Sequence, residues 1–266
     1  MLKLASWNVN SLNVRLEQVL AWLDSSQVDI LALQETKTPD DQFPVAAFTE
    51  KGFHVVFSGQ KTYNGVAIIS RQPIQDVITD VPYLADPQRR ILAATIGDIR
   101  LINLYVPNGA AVGTDKYDYK LTWLPHVTAF IKQQLTKYPR VAVVGDFNIA
   151  PDDRDVHDPL EWEGCVLVSP LEREAFASLL ALGLHDSFRN FTQEEQLFSW
   201  WDYRAAGFRR NRGLRIDHIL LSDDLNKNCL VSAIDKEPRR AERPSDHAPV
   251  WVEIASRYVG TTVEPS

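Results

Sequence analysis

Apolar runs in this chain end repeatedly in a side chain that carries a carboxylate or a carboxamide: Asn8, Glu35, Asp146 and Asn148. A core strand has no need of such an ending, and loops at a sheet edge are where reactive groups gather. Magnesium takes one or two carboxylates and keeps water and substrate phosphate for its other positions. Glu35 in Leu33-Gln34-Glu35, helped by Asn8 in Ser6-Trp7-Asn8, fits that economy. Asp146 and Asn148 are two apart, so in extended chain they share a face. Together they can hold a water, the carboxylate accepting its proton and the amide fixing its orientation. His247 follows Asp246, and a carboxylate from elsewhere, Asp217, can hold the imidazole and keep it protonated. Taken singly, each has an ordinary structural reading: a turn former, a solvated acid, a Gly-Asp turn or a surface Asp-His pair.

A basic, aromatic stretch lies between the Asp146 and His247 segments. Residues 203–215 read YRAAGFRRNRGLR, with Arg209, Arg210 and Arg212 among five arginines. Arginine meets phosphate in a fork geometry, and contacts of that kind position a nucleic acid without reading its sequence. Arg239, Arg240 and Arg243 precede Asp246-His247, and Lys116 and Lys120 are expected to add to the basic face.

The elements that must position these groups are legible in outline. Leu2–Ala5, Val28–Leu33, Gly65–Ser70, Val141–Val144, Leu214–Leu221 and Ala248–Ile254 read as strands. Ile91–Ile96 and Ile99–Tyr105 read as a hairpin about Gly97-Asp98. Leu16, Val19, Leu20 and Leu23 follow helical spacing, as do Leu121, Leu124, Thr128, Ile131 and Leu135, with Pro125 a weak point. Ser169-Pro170-Leu171-Glu172 starts a third helix with a capping box, ending by Gly183. This mixture predicts two packed mixed sheets with helices outside. One catalytic domain is expected over residues 1–255 and a loose tail over 256–266.

The 266 residues suffice for a large core without staples. Cys165 and Cys229 lack metal-type spacing and read as two buried, inert thiols. No apolar run approaches a membrane span, and no signal-peptide core follows Met1, so a cytoplasmic setting is expected. A net charge of −7 argues against a protein that coats nucleic acid nonspecifically, but allows an enzyme with a local basic face and a bound cation.

Seven segments then fall in one order along the chain. They are Trp7-Asn8-Val9-Asn10, Leu33-Gln34-Glu35, Asn64-Gly65-Val66-Ala67, Tyr105-Val106-Pro107-Asn108-Gly109, Gly145-Asp146-Phe147-Asn148, Arg215-Ile216-Asp217 and Ser245-Asp246-His247-Ala248-Pro249. The set resembles the motifs of the exonuclease III and abasic-site endonuclease family, from about Leu2 to Glu253. That resemblance implies an α/β fold, the four-layered endonuclease/exonuclease/phosphatase sandwich of two packed mixed β-sheets flanked by helices. It implies Mg2+, leaving Mn2+ open as an alternative, and a monomer acting on double-stranded DNA with nicks, 3′ ends or abasic sites. It further implies 3′–5′ exonuclease action, cleaning of 3′ phosphates and incision 5′ to abasic sites.

The same resemblance assigns roles. Glu35 is the main metal ligand, with Asn8 and Asn10 close by and Asp246 a further acid near the metal. Asp146 and Asn148 align and deprotonate the water. His247, held by Asp217, contacts the scissile phosphate as acid, base or clamp. Tyr105 and Asn108 touch the phosphate. Trp200 and Leu214 wall a pocket for a flipped abasic sugar or a frayed 3′ nucleotide, and Leu167 is expected to crowd the nucleotide opposite. Two alternatives remain: a phosphoesterase of the same superfamily acting on an inositol phosphate or sphingolipid, and a DNA-binding protein without catalysis. The arginine-rich loop beside Trp200 weighs against the first, and the complete acidic set against the second.

Overall fold

Strands buried on both faces must be apolar along their whole length, and several runs in this chain meet that demand. The computed structural model describes residues 1–82 and 84–256. The strands are β1 (Leu2–Asn8), β2 (Ile30–Gln34), β3 (His54–Ser58), β4 (Val66–Ser70), β5 (Ile74–Ile78), β6 (Ile91–Ile96) and β7 (Ile99–Tyr105), then β8 (Val141–Asp146), β9 (Leu184–Asp186), β10 (Trp200–Trp201), β11 (Gly213–Leu214), β12 (Asp217–Ser222), β13 (Cys229–Ile234) and β14 (Val250–Ile254). The helices are α1 (Leu12–Ser26), α2 (Val45–Thr49), α3 (Asp115–Lys137), α4 (Pro159–Trp162), α5 (Pro170–Leu180) and α6 (Asp223–Lys227).

One six-stranded sheet runs β13-β14-β1-β2-β4-β3 and the other β5-β6-β7-β8-β12-β9. Both are mixed: β1 pairs parallel with β2, and β7 with β8, while their other pairings are antiparallel. Leu4, Ile30, Ile68 and Val252 of the first sheet interdigitate with Leu92, Leu101, Val144 and Ile219 of the second. Outside the first sheet, α1 and α2 cover Trp7, Leu31 and Ile69. Outside the second, α3 and α5 cover Ile102, Val143 and Leu220. The result is the expected four-layered sandwich.

A polar tie crosses the sheet interface near its functional end. The buried Asn103 amide donates to the carbonyls of Leu33 (2.9 Å) and Ala67 (3.0 Å), and accepts from Gln34 Nε2 (2.8 Å). Each bond joins one sheet to the other, which fixes their relative slide more sharply than apolar packing does.

Several expectations need correction. Pro125 does not weaken α3 enough to end it, because Trp123, Leu124, Val127, Phe130 and Ile131 are buried about it. Packing of that extent outweighs a lost helical hydrogen bond. The predicted strand Leu214–Leu221 is two elements, β11 and β12. The edge strands β3, β5, β9 and β13 were not anticipated. Of the two thiols, Cys165 is exposed and Cys229 only partly buried. Of the expected tail, residues from 257 on lie outside those described.

Three residues expected on a DNA-facing surface are interior. Lys120 has no exposure and pairs with Glu172. Arg215 is equally enclosed: it donates to Asp155 (2.6 Å) and Asp186 (2.7 Å), and Arg189 shares Asp155. Arg239 is also buried, donating to the Ser245 carbonyl and lying over the ring of Phe208. Removing one member of a buried charge cluster strands the others, at about 3–5 kcal/mol. Arg215→Met is therefore expected to lower unfolding free energy by about that much in urea titration. A loss under about 1 kcal/mol would mean that Asp155 and Asp186 find other partners.

Candidate active site

The parallel register of β1 and β2 sets Asn8 opposite Gln34, so Asn8 and the following Glu35 leave the first sheet together. In the second sheet Asp146 is in register with Tyr105 on one side and Asp217 on the other. The sandwich brings these strand ends face to face. Asn8 Nδ2 donates to Glu35 Oε1 (2.8 Å) and to Asp146 Oδ2 (2.8 Å), bridging the sheets through two carboxylates. His247 arrives from the loop before β14. Trp7 Nε1 donates to its carbonyl (3.2 Å), and Ser245 Oγ donates to the Asn8 carbonyl (2.7 Å).

Backbone strain is concentrated here. Asn10, Glu35, Lys37 and Asn148 have φ of 44°, 51°, 54° and 48°. Left-handed backbone is tolerable for asparagine but uncommon for glutamate and lysine, and such outliers persist where surrounding contacts enforce them. The turn at Glu35 carries its carboxylate out of the β2 line toward Asp146. That at Asn148 lets its backbone N–H reach Asp146 Oδ1 (2.9 Å) and its side-chain amide reach the Val106 carbonyl (2.9 Å).

His247 Nδ1 donates to Asp217 Oδ2 (2.8 Å), and Ser199 Oγ donates to the same oxygen (2.7 Å). His247 Nε2 then faces Asp146 Oδ2 at 3.7 Å. Burial disfavours the imidazolium, but Asp217, Asp146 and Asp246 outweigh it and lift His247 to about 10. Burial raises Asp146 to about 7; Asp217 and Glu35 push the same way, and His247 opposes them. Burial, then Glu35, pushes the Tyr105 phenol well above its ordinary value, so it stays protonated. The cation of Arg90 lies 4.6 Å from the Tyr105 ring centre.

Glu35, Asp146 and His247 each bring one potential ligand atom within 4.8 Å of the others, and with His247 protonated the two carboxylates are the groups free to bind a cation. Two carboxylates in a buried corner suit a hard divalent cation. The upward displacement of Asp146 is what an added positive charge would relieve. Of the residues assigned to metal from the sequence, Glu35 is in this cluster. Asn8, as oriented, presents its N–H to the carboxylates rather than an oxygen. Asp246 stands apart from the trio, its carboxylate accepting from Asn10 Nδ2 (3.1 Å) and Trp200 Nε1 (2.9 Å).

The expected substrate contacts divide. Asn108 is at the centre, donating to Asn148 Oδ1 (3.1 Å). Trp200 is half-buried and walls a cavity of about 210 Å³ with Trp162, Arg204 and Arg212. Arg209 and Arg210 are exposed, whereas Arg212 is paired with Glu161 (2.6 Å) and donates to His157 (3.3 Å). Leu214 does not line the cavity; it is fully buried with Val156 and Ile216, against Trp200. Leu167 likewise points inward with Ala150 and Val168, so it cannot crowd a nucleotide as expected. The exposed tip of that loop is Glu163, Gly164 and Cys165. Sequence reasoning missed Lys37, which lies 3.2 Å from Glu35 Oε2 and donates to Asn10 Oδ1 (2.6 Å). Its spacing of two from Glu35 was the available hint.

The chain belongs to the endonuclease/exonuclease/phosphatase family, which it matches over residues 5–247. Among individual relatives, it is 36% identical to exodeoxyribonuclease III of Haemophilus influenzae, over 95% of this chain and 100% of that one. A solved 3′ phosphatase from Neisseria, bound to a product DNA hairpin, superposes with a TM-score of 0.95 at 47% identity, covering 96% of this chain and 100% of that one. An AP endonuclease from Archaeoglobus fulgidus gives a TM-score of 0.93 at 38% identity, with coverage of 96% and 100%. Among the described residues no helix is long and apolar enough to cross a membrane.

The second histidine of the β12 region behaves oppositely to His247. Alternation along the strand turns His218 away from Asp217. Its Nε2 donates to the Ile149 carbonyl (2.8 Å), and its Nδ1 accepts from Arg215 Nη1 (3.0 Å), which requires the neutral ring. Burial, with Arg215 assisting and Asp186 opposing, lowers it to about 4 from 6.5. In the unfolded chain it takes its proton near 6.5. The contribution to stability is therefore complete above 6.5 and lost as pH falls toward 4. Fully developed it is about 3 kcal/mol, at about 1.4 kcal/mol per pH unit between the two values. Between pH 7.5 and 4.5 the unaltered chain is expected to lose about 2–3 kcal/mol more than His218→Gln, whose amide can both donate and accept. Parallel losses in denaturant titrations would dismiss this role.

Proposed function

We propose that this chain is a magnesium-dependent DNA repair nuclease. It hydrolyses phosphodiester bonds as a 3′–5′ exonuclease on duplex DNA, removes 3′-phosphate groups and incises 5′ to abasic sites. The observation that carries this reading is the convergence of Glu35, Asp146, Asn148 and His247, from both sheets, on one small volume. The relatives' names, exodeoxyribonuclease III, 3′ phosphatase and AP endonuclease, support the substrate class.

Asp146 accepts the proton of the attacking water, and the Asn148 amide, held by the Val106 carbonyl and by Asn108, orients that water. His247, kept charged by Asp217, faces the scissile phosphate and offsets the charge that grows on it. Tyr105, protonated, and Asn108 donate to phosphate oxygens. Magnesium would be held by Glu35 with Asp146 adjoining, and would supply positive charge to offset that of the phosphate. Asn8 keeps Glu35 and Asp146 at a fixed separation. Asp246 acts indirectly, by holding Asn10 and Trp200. The Trp200 cavity receives the sugar at the cut, with Trp200 and Trp162 as its apolar walls and Arg204 and Arg212 at its charged side. Arg209 and Arg210 hold the DNA backbone, with Arg212 joining when phosphate displaces Glu161. Leu214 supports Trp200 from behind. Residues 1–255 form one catalytic domain that works as a monomer in the cytoplasm.

A single panel tests the activity: one labelled duplex presented with an intact 3′ end, a 3′-phosphate or an internal abasic site, with magnesium and with chelator. Magnesium-dependent cutting is expected on all three, and no cutting on any would refute the reading. Asp146→Asn is expected to lower kcat by at least about 10²-fold, a usual cost of losing a general base, while duplex binding persists. A near-normal rate would take Asp146 out of that role. Glu35→Ala is expected to move the magnesium titration to higher concentration as activity falls. An unchanged titration midpoint would place the cation elsewhere.

A further inference from the structure

Lys120 of α3 and Glu172 of α5 form an ion pair in which neither side chain has any exposure. Each also holds backbone. Lys120 Nζ donates to the Asn148 carbonyl (2.6 Å) and to the Asn108 carbonyl (3.2 Å). Glu172 accepts from the Leu167 N–H (3.1 Å), the Ser169 N–H (3.2 Å) and Ser169 Oγ (2.6 Å). One pair thus joins three loops: those bearing Asn108, Asn148 and the segment 167–169.

Enclosing two charges is costly, and apolar replacement of a buried pair is often neutral or stabilising. Stability alone therefore does not account for this pair. Direction does. Asn148 has left-handed backbone, and beyond it the loop carbonyls have left the β8 ladder. Basic side chains take them in turn: Lys120 at Asn148, His218 at Ile149 (2.8 Å) and Arg173 at Ala150 (3.0 Å). Of these, Lys120 also grips the Asn108 loop, so it sets the two amides of Asn108 and Asn148 against each other and against Asp146.

We propose that the Lys120–Glu172 pair is a positioning device for phosphodiester hydrolysis, acting through Asn148 and Asn108 without touching the reacting atoms. The proposal rests on the nuclease reading. In it, an error of about 1 Å at the water-orienting amide costs about 10²-fold in rate.

The test is the double variant Lys120→Met/Glu172→Leu, compared with the unaltered chain on a labelled duplex with a free 3′ end. The expected result is a lowered melting temperature, because the backbone groups the pair held lose their partners, with the chain still folded at the assay temperature, KM for the duplex within about threefold, and kcat lowered about 10²-fold. Normal kcat in the folded variant overturns the proposal, as does a rise in KM with kcat unchanged. Should the double variant not fold, Glu172→Gln keeps volume and one acceptor. A lowered kcat with constant KM then supports positioning, and a normal kcat overturns it. Failure of both variants to fold would assign the pair to folding and overturn the proposal. An unaltered chain that cuts no duplex ends the nuclease reading itself, whereas equal cutting by both chains ends only the positioning role.

Discussion

Asp146 is almost wholly buried between Glu35 and Asp217, and three carboxylates held this close repel one another. Every other feature of the site can be read as a response to that repulsion. His247 faces Asp146 and is held by Asp217, offsetting charge on both. Asn8 gives one N–H to Glu35 and another to Asp146, and Lys37 lies against the far oxygen of Glu35. Even so, burial above all, with that repulsion adding to it, pushes Asp146 upward. A group buried among like charges is poised to accept a proton, and the same imbalance draws a cation. On the proposed reading, the site concentrates negative potential where the water is deprotonated and sets imidazolium and amide donors toward the phosphate.

Such an arrangement cannot be held by loose loops. It needs the ends of two sheets fixed against each other, and the Asn103–Gln34 tie supplies that within a few residues of Tyr105 and Glu35. It also needs backbone bent where regular strand would carry the side chains away, hence the left-handed residues at Asn10, Glu35 and Asn148. Leaving the ladder exposes carbonyls in a buried place, where each must find a donor. Lys120, His218 and Arg173 are those donors. The strain at Asn148 and these side-chain donors are two sides of one arrangement.

Much of this was legible beforehand. Glu35, Asp146 and Asn148 were marked because a polar residue ending an apolar run is visible without coordinates, and His247 and Asp217 because a loop Asp-His pair and a second carboxylate suggest a held imidazole. The sandwich followed from alternating element types. Misreadings had a common physical origin: a side chain's chemistry was visible, but its direction was not. Arg215 and Lys120 carry the same charge whether they face DNA or an interior aspartate, and only the distant Asp155, Asp186 and Glu172 decide. Leu167 sits in left-handed backbone that turns it inward, which no apolar pattern announces. The edge strands β3, β5 and β13 alternate buried and exposed residues irregularly, so their period was weak.

That direction of charge bears on how a chain with net charge −7 can work on DNA. Arg215, Arg239 and Lys120 are spent inside, and Arg204 and Arg212 lie beside Asp202 and Glu161. Arg209 and Arg210 are exposed without a carboxylate partner among the described residues. A broad electrostatic grip of the kind used by proteins that coat nucleic acid is therefore not built into this surface. On the proposed reading, recognition draws instead on the site itself: the cation that the carboxylates would hold, the imidazolium, and the cavity at Trp200.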